Sequence, residues 1–293
     1  MIEEEITQQV KKHLEIYPKD ENYIKLLLEN KEFSPGDKSY RSWLTYNLSG
    51  IDIGNQLIHR LENIIGPIKG MNVLDVGAGG GGNSIAFARH GCVVTSIEID
   101  DLRFAWLRTR VNDHGLPIRI LQNHIENIKF PKRFDLITCN AVLEHVEDWK
   151  TFLGKLLDIS NGHIYLCWPN KFSILEIISD QHYGLFGAVF LTGKLRWLQK
   201  YYIRMYGIRR NAWVTEVPSL SSVKALALKH NSNYTIIPML PVGIEKLDIP
   251  NSINNTSARN AIMVLKRFGV SANGLRKIIA SQRNNHEILI ATK

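Results

Sequence analysis

Three sets of residues in this 293-residue chain have types and spacings that could do chemistry. The first is the run Gly77-Ala78-Gly79-Gly80-Gly81-Gly82, a G-x-G-x-x-G pattern with Asp75 two residues ahead of it. Five glycines in six positions suit backbone that another group approaches closely, and a nucleotide-like ligand at a strand-to-helix turn is such a group. The second is Glu98, an acceptor-only carboxylate that suits a vicinal diol with two hydrogens to donate. Its bland alternative is a solvated strand end. The third is the pair His145 and His182, whose ordinary titration range fits general-base work. Glu144-His145 reads equally well as a cap that orients the following helix.

These residues need a scaffold, and from residue 71 the chain alternates strand and helix. "NVLDV" reads as a buried strand, 84–90 as a helix, "CVVTSIEI" as a second strand and 102–114 as a second helix. "IRIL" and "FDLITCN" give two more strands, 149–159 a helix and "HIYLCW" a fifth strand; "YTIIPML" and "HEILIATK" are two further candidates. Such alternation implies an α/β fold, a doubly wound, Rossmann-like sheet. Ahead of it, apolar residues at helical spacing over 2–28 and 53–65, joined by the breaker-rich "EFSPGDKS", make residues 1–70 an N-terminal helical extension. The sheet then belongs to a domain of residues 71–293.

Trp168-Pro169-Asn170-Lys171 marks a change of character. Residues 181–215 contain no acid, while Lys194, Arg196, Lys200, Arg204, Arg209 and Arg210 gather among aromatics. We expect about 170–232 to form a helical insertion after strand five. Leu195, Leu198, Tyr202 and Met205 share one helical face, expected to pack on the core, with Arg196, Lys200 and Arg204 on a solvated one.

The glycine run alone fits more than one ligand. With Glu98 downstream it matches a nicotinamide or flavin dinucleotide site, and so an oxidoreductase. A P-loop is excluded, because no Gly-Lys-Ser/Thr closes the run. Asp75 shifts the balance. A buried carboxylate is costly without a partner, and an anionic pyrophosphate would be repelled by it. S-adenosylmethionine (SAM) carries an ammonium group that could pair with Asp75, beside a cationic sulfonium. Asp75 bonding loop amides to shape the turn is compatible with either ligand.

Four elements then follow in order: Val73-Leu-Asp-Val-Gly-Ala-Gly79, Glu98 closing strand two, Phe134-Asp-Leu-Ile closing on Asn140, and Leu143-Glu-His145-Val. Over about 71–170 the chain resembles the class I SAM-dependent methyltransferases. The resemblance implies a seven-stranded sheet whose last strand is antiparallel, and SAM as cofactor. It implies that Gly77, Ala78 and Gly79, with Asp75 ahead of them, pass beneath the methionine portion of SAM. Glu98 would hold the ribose hydroxyls and Ile99 would cover one adenine face. His124 stands where the family commonly has an aspartate for the adenine amino group, and the Ile125 amide would meet a ring nitrogen. Asn140 would line the methionine end.

In such an enzyme the protein aligns the acceptor with the methyl, excludes water and, for a hydroxyl, removes a proton. His145 is the first candidate base and His182 the second. Asp180-x-His182 offers two metal ligands without a third, so no metal is expected. The stretch "PNKFSILEIISDQHYGLFG" also resembles methyltransferases of cell-surface polysaccharide and lipid-linked glycan pathways, which implies a small-molecule or lipid-linked acceptor. A non-catalytic methyltransferase-fold binding protein is the opposing class.

Composition sets the outer bounds. A formal charge of +8 favours an anionic partner, and the single basic cluster suits peripheral contact with an anionic membrane surface better than a nucleic-acid track. Three cysteines without CxxC spacing read as reduced, buried thiols. The acidic N-terminus has no apolar signal region, and no apolar run reaches the roughly 18–20 residues of a membrane span, so the expected location is the cytoplasm.

Overall fold

The computed structural model describes residues 2–30, 40–178, 180, 182–206, 214–237 and 285–292. Helices α1 (Ile2–Ile16), α2 (Glu21–Leu28), α3 (Tyr40–Leu48) and α4 (Gly50–Ile65) come first. Then follow β1 (Asn72–Val76), α5 (Gly82–Arg89), β2 (Val93–Ile97), α6 (Asp101–His114), β3 (Arg119–Leu121) and β4 (Phe134–Asn140). After these come α7 (Trp149–Ile159), β5 (Ser160–Pro169), α8 (Ile174–Ile178), α9 (Arg196–Met205), α10 (Leu220–Lys229), β6 (Asn233–Ile236) and β7 (Asn285–Ala291). The strands form one sheet in the order β3-β2-β1-β4-β5-β7-β6. β1 and β2 pair in parallel, with Asp75 opposite Ser96 and Val76 opposite Ile97, and β2 and β3 are parallel too. β6 and β7 are antiparallel. This is the Rossmann-like, seven-stranded mixed sheet expected. In the "YTIIPML" candidate the strand is confined to 233–236; Pro238, Met239 and Leu240 lie outside the described residues, as do "EFSPGDKS", Arg209 and Arg210.

The chain divides into two compact units. Unit one comprises residues 1–138 and 158–164. Val73, Leu74 and Val76 of β1 are buried, as a strand covered on both faces requires. α6 starts on a cap, the Asp100 carboxylate accepting from the Arg103 amide, and ends at Gly115 with φ 63°. α4 lies close on α5: a Cβ at Gly54 would meet the Ala86 Cβ at 2.6 Å and the Asn83 Cα at 3.0 Å. Among the described residues the N-terminal helices share a core with α6. Ile6, Tyr23, Ile24, Leu27, Tyr40, Leu44 and Leu48 cluster with Trp106 of α6.

Unit two comprises residues 139–157 and 165–293. Trp168 is fully buried and donates its indole N–H to the Pro218 carbonyl at 2.9 Å, while the Tyr165 hydroxyl donates to Glu287 Oε2 at 3.1 Å. Helix α9 corrects the sequence reading of its buried face. Gln199 and Ile203 are the buried pair, not Leu195 and Met205, which are 44% and 64% exposed. Trp197 and Tyr201 are 67% and 65% exposed and form an outward stripe with Met205 at intervals of four. Spacing alone could not choose between the faces, because aromatics occupy both. None of the three cysteines forms a disulfide; Cys139 and Cys167 are buried and Cys92 is half-buried.

Candidate functional site

The glycine loop leaves the carboxyl end of β1, beside which the strand order of the sheet reverses; open α/β sheets bind ligands at that position. The amides of Gly77 and Ala78 both donate to the Ile97 carbonyl, at 2.8 and 2.9 Å, which ties the loop to the end of β2. Gly77, Gly79 and Gly81 all have positive φ, so the loop needs glycine for its path. Around Gly79 a Cβ would meet nothing within 4 Å; this part of the loop faces open space. Elsewhere the loop is occupied by the protein itself. A Cβ at Gly80 would lie 2.3 Å from the Tyr23 hydroxyl oxygen, and one at Gly82 would lie 2.4 Å from the Gly50 carbonyl carbon.

Asp75 is buried beneath this loop. Its Oδ2 accepts from the Ser84 hydroxyl at 2.5 Å and its Oδ1 from the Thr138 hydroxyl at 2.9 Å. Ser96 extends the chain by donating to Ser84 Oγ at 2.8 Å. Burial raises the Asp75 carboxyl above its usual range, against the lowering effect of the two hydroxyl bonds. The residue therefore braces β1 to β4 and to the start of α5. Glu98 is 5% exposed; its Oε2 accepts from the Gly79 amide at 2.8 Å, and its Oε1 from the amides of Ile99 and Asp100 at 2.8 and 3.0 Å. Three bonds leave acceptor capacity on this carboxylate. Ile99 is 55% exposed, His124 is exposed and Ile125 is buried.

Behind the loop sits a charged cluster. Arg110 donates through Nε to Asp20 Oδ1 at 2.8 Å, through Nη2 to Asp20 Oδ2 at 2.5 Å, and through Nη1 to the Gly80 carbonyl at 3.2 Å. Its guanidinium lies 4.1 Å from the Tyr23 ring centroid. His13 and His114 each place Nε2 against Asp20, at 2.7 and 2.8 Å. Arg89, which can only donate, meets His114 Nδ1 at 3.1 Å, so Nε2 of that ring carries the hydrogen given to Asp20. Burial alone would raise the Asp20 carboxyl; bonds from His114, His13 and Arg110 outweigh it and hold the group far below the usual carboxylate range.

Unit two holds the two candidate histidines, His145 and His182. A single turn, Leu143–His145, follows β4, and the intervening Ala141 is left-handed at φ 55°, fastened by its amide to the Cys167 carbonyl at 2.8 Å. That conformation costs a non-glycine residue about 1–2 kcal/mol. Asn140, just before it, is half-buried. His145 and His182 are brought together, with ring centroids 5.1 Å apart in an edge-on arrangement. Asp180 does not join them as a ligand. Its Oδ1 accepts from the amides of His182 and Tyr183 at 3.0 and 2.9 Å, and its Oδ2 from Leu185 at 3.0 Å.

A family model described as a methyltransferase domain matches residues 40–233. The chain belongs to that family. Among its curated relatives, the ubiquinone biosynthesis O-methyltransferase of Rickettsia felis is 25% identical over 182 residues, which cover 59% of this chain and 71% of that protein. The enzyme of the same description from Proteus mirabilis is 32% identical over 106 residues, 35% of this chain and 43% of its own length. Of solved structures, the plantazolicin methyltransferase BpumL in complex with SAH is 17% identical with a TM-score of 0.50, over 94% of this chain and 98% of that one. That likeness speaks for the fold.

The protein is a SAM-dependent methyltransferase with the Rossmann-like sheet. The residues of unit one suit the cofactor: open backbone at Gly79, a buried carboxylate with spare acceptor capacity at Glu98, and an exposed apolar side chain at Ile99. Sequence reasoning missed the groups that hold these in place. Ser84 and Thr138 are ordinary strand and helix residues until Asp75 is seen between them. Tyr23, Asp20 and Arg110 are far apart in the chain and carry no motif. Glu144 was legible only as a neighbour of His145.

Proposed function

We propose that this methyltransferase moves the SAM methyl group to a hydroxyl oxygen of a small-molecule acceptor, one carried on or near a lipid. The observation that carries the oxygen reading is the pairing of His145 and His182, two imidazoles on one side of a buried carboxylate, where an acidic hydrogen of the acceptor can be handled. The O-methyltransferase names of the relatives support the same atom. When bound, SAM supplies an electrophilic methyl on its sulfonium. In this reading Gly77, Ala78 and Gly79 floor its methionine, with Asp75 bracing that floor, and Glu98 accepts from both ribose hydroxyls. Ile99 covers the adenine, the His124 ring and the Ile125 amide meet the adenine edge, and Asn140 lines the methionine end. His145 and His182 meet the acceptor hydroxyl, whose proton must leave as the methyl arrives. Residues 1–70 serve as a brace for the cofactor loop, and about 170–232 as the acceptor-side insertion. The exposed Trp197, Tyr201 and Met205, flanked by Lys200 and Arg204, suit peripheral contact with an anionic membrane surface. No helix among the described residues is long and apolar enough to cross a membrane.

Calorimetry with SAM tests the cofactor roles: wild type binds, and Glu98→Ala binds on the order of tenfold more weakly or worse, having lost two charge-assisted bonds. Equal affinity for the two proteins refutes the ribose assignment. Release of S-adenosylhomocysteine across a panel of lipid-linked sugars, quinols and small phenols then identifies the acceptor, and turnover only with amines would overturn the oxygen reading.

A further inference from the structure

Glu144 is an anomaly in unit two. Its side chain is fully buried, and neither Oε atom accepts a hydrogen bond from another residue. Two imidazole nitrogens converge on the same oxygen: His145 Nε2 is 3.9 Å and His182 Nε2 is 3.8 Å from Glu144 Oε1. These spacings are too long for hydrogen bonds. A fully buried carboxyl group that no other residue bonds is costly, unless a cation completes it.

The spacings suit an ion. One donor atom from each of Glu144, His145 and His182 lies within 4.8 Å of the others. Zinc sits about 2.0–2.2 Å from imidazole nitrogen and carboxylate oxygen, so tetrahedral ligands stand about 3.4 Å apart. The two spacings to Glu144, 3.8 and 3.9 Å, exceed that value by a few tenths of an ångström, and the third pair of ligand atoms lies within 4.8 Å. The backbone already presents both segments. Thr215 holds the Glu144 carbonyl through its amide at 2.8 Å and its hydroxyl at 3.1 Å, and the Asp180 carboxylate holds the turn that carries His182. The imidazoles are 30% and 19% exposed, which leaves the cluster reachable.

We propose that Glu144, His145 and His182 bind one divalent first-row transition ion, with zinc the best match to two imidazoles and one carboxylate. Magnesium, which prefers oxygen ligands and retains its waters, fits this donor set poorly. Three protein ligands leave a position for water or for the acceptor's hydroxyl, whose acidity the ion would raise; with the ion bound, the two imidazoles act on that hydroxyl through the ion and not as free bases. Its link to methyl transfer rests on the reading above; the binding of the ion does not. It also reverses the expectation drawn from Asp180-x-His182, because the third ligand comes from the turn after β4 and Asp180 is a support.

The test uses the full, tag-free chain, stripped with chelator and titrated with Co2+ while the visible d–d absorption is recorded. One Co2+ per chain, displaced by Zn2+ and not by Mg2+, is expected. Glu144→Gln, which keeps the side-chain shape, and His182→Ala should each weaken Co2+ binding on the order of a hundredfold or more, as loss of a ligand should exceed the 10–100-fold typical of supporting groups. Circular dichroism and thermal melts check that both variants fold. Absence of Co2+ binding in wild type, or equal binding in folded Glu144→Gln and His182→Ala, overturns the site. SAM calorimetry on the same stripped protein separates the two readings: intact SAM binding without Co2+ binding removes the ion alone.

Discussion

Gly80→Ala tests whether the cofactor loop is glycine-rich for the protein's sake as well as for the ligand's. The added Cβ would stand 2.3 Å from the Tyr23 hydroxyl oxygen and 2.9 and 3.0 Å from two ring carbons, where ordinary contact begins at about 3.4 Å. The ring must therefore withdraw by about 1 Å. It has nowhere to go: Tyr23 is 1% exposed and its face is covered by the Arg110 guanidinium. Overpacking of this kind costs about 1–3 kcal/mol. For a chain of this size that is roughly 2–4 °C of melting temperature per kcal/mol. The clash is with a side chain and so can be relieved. In a Tyr23→Leu background, Gly80→Ala should cost close to nothing, giving a coupling of about 1–3 kcal/mol in a double-mutant cycle read by urea unfolding. Gly79→Ala is the control. No atom lies within 4 Å of its Cβ, so its backbone strain at φ 54° should be the same in both backgrounds, and its further effect should fall on SAM affinity. Equal costs of Gly80→Ala with and without Tyr23 would refute the reasoning.

Two further outcomes follow from the charged cluster and from α9. Asp20→Asn should cost about 3–5 kcal/mol at pH 7, because it leaves Arg110 buried without its counterion. Since the folded-state carboxyl is depressed, wild type's advantage is complete above the ordinary carboxylate range and drains away as pH falls below about 4. Melts from pH 7 to 3 should show the gap narrowing, and a constant gap would overturn the assignment. Trp197→Glu with Tyr201→Glu should leave melting unchanged, because both side chains are about two-thirds exposed, and should abolish co-sedimentation with anionic vesicles. Undiminished sedimentation would remove the membrane contact.

The strand and helix pattern was legible because the fold is periodic where it is buried. β1, α5, β4 and α7 begin and end within a residue or two of where their apolar runs do. The glycine loop was legible because local geometry forces it: a turn with three positive φ angles needs glycine whatever the rest of the chain does. What could not be read is what depends on distant partners. Asp75 read either as a counterion for a ligand or as a brace for the turn, and the partners of the brace, the hydroxyls of Ser84 and Thr138, lie 9 and 63 residues away in the chain. The buried face of α9 was misassigned because amphipathic spacing finds a face, and Gln199 is an improbable core residue. It is buried here with its amide donating to the Ala188 carbonyl at 3.3 Å. His145 and His182 were separate candidates, and only the fold made them one cluster.

Arg110 explains why a cofactor loop should need helices that precede it by dozens of residues. One guanidinium bonds Asp20 through two nitrogens and the Gly80 carbonyl through the third, with its face on Tyr23. The glycine loop is thus tied from behind to the turn ahead of α2; the proposed reading has this loop receive the cofactor. Fixing the loop before the ligand arrives lowers the ordering cost of binding. The tie also sets the composition of the loop. Gly80 is small so that Tyr23 can cover it and Gly82 so that Gly50 can, while at Gly79 the backbone faces open space. The glycine run that first suggested a nucleotide is therefore shaped in part by the protein's own N-terminal helices, which cover Gly80 and Gly82.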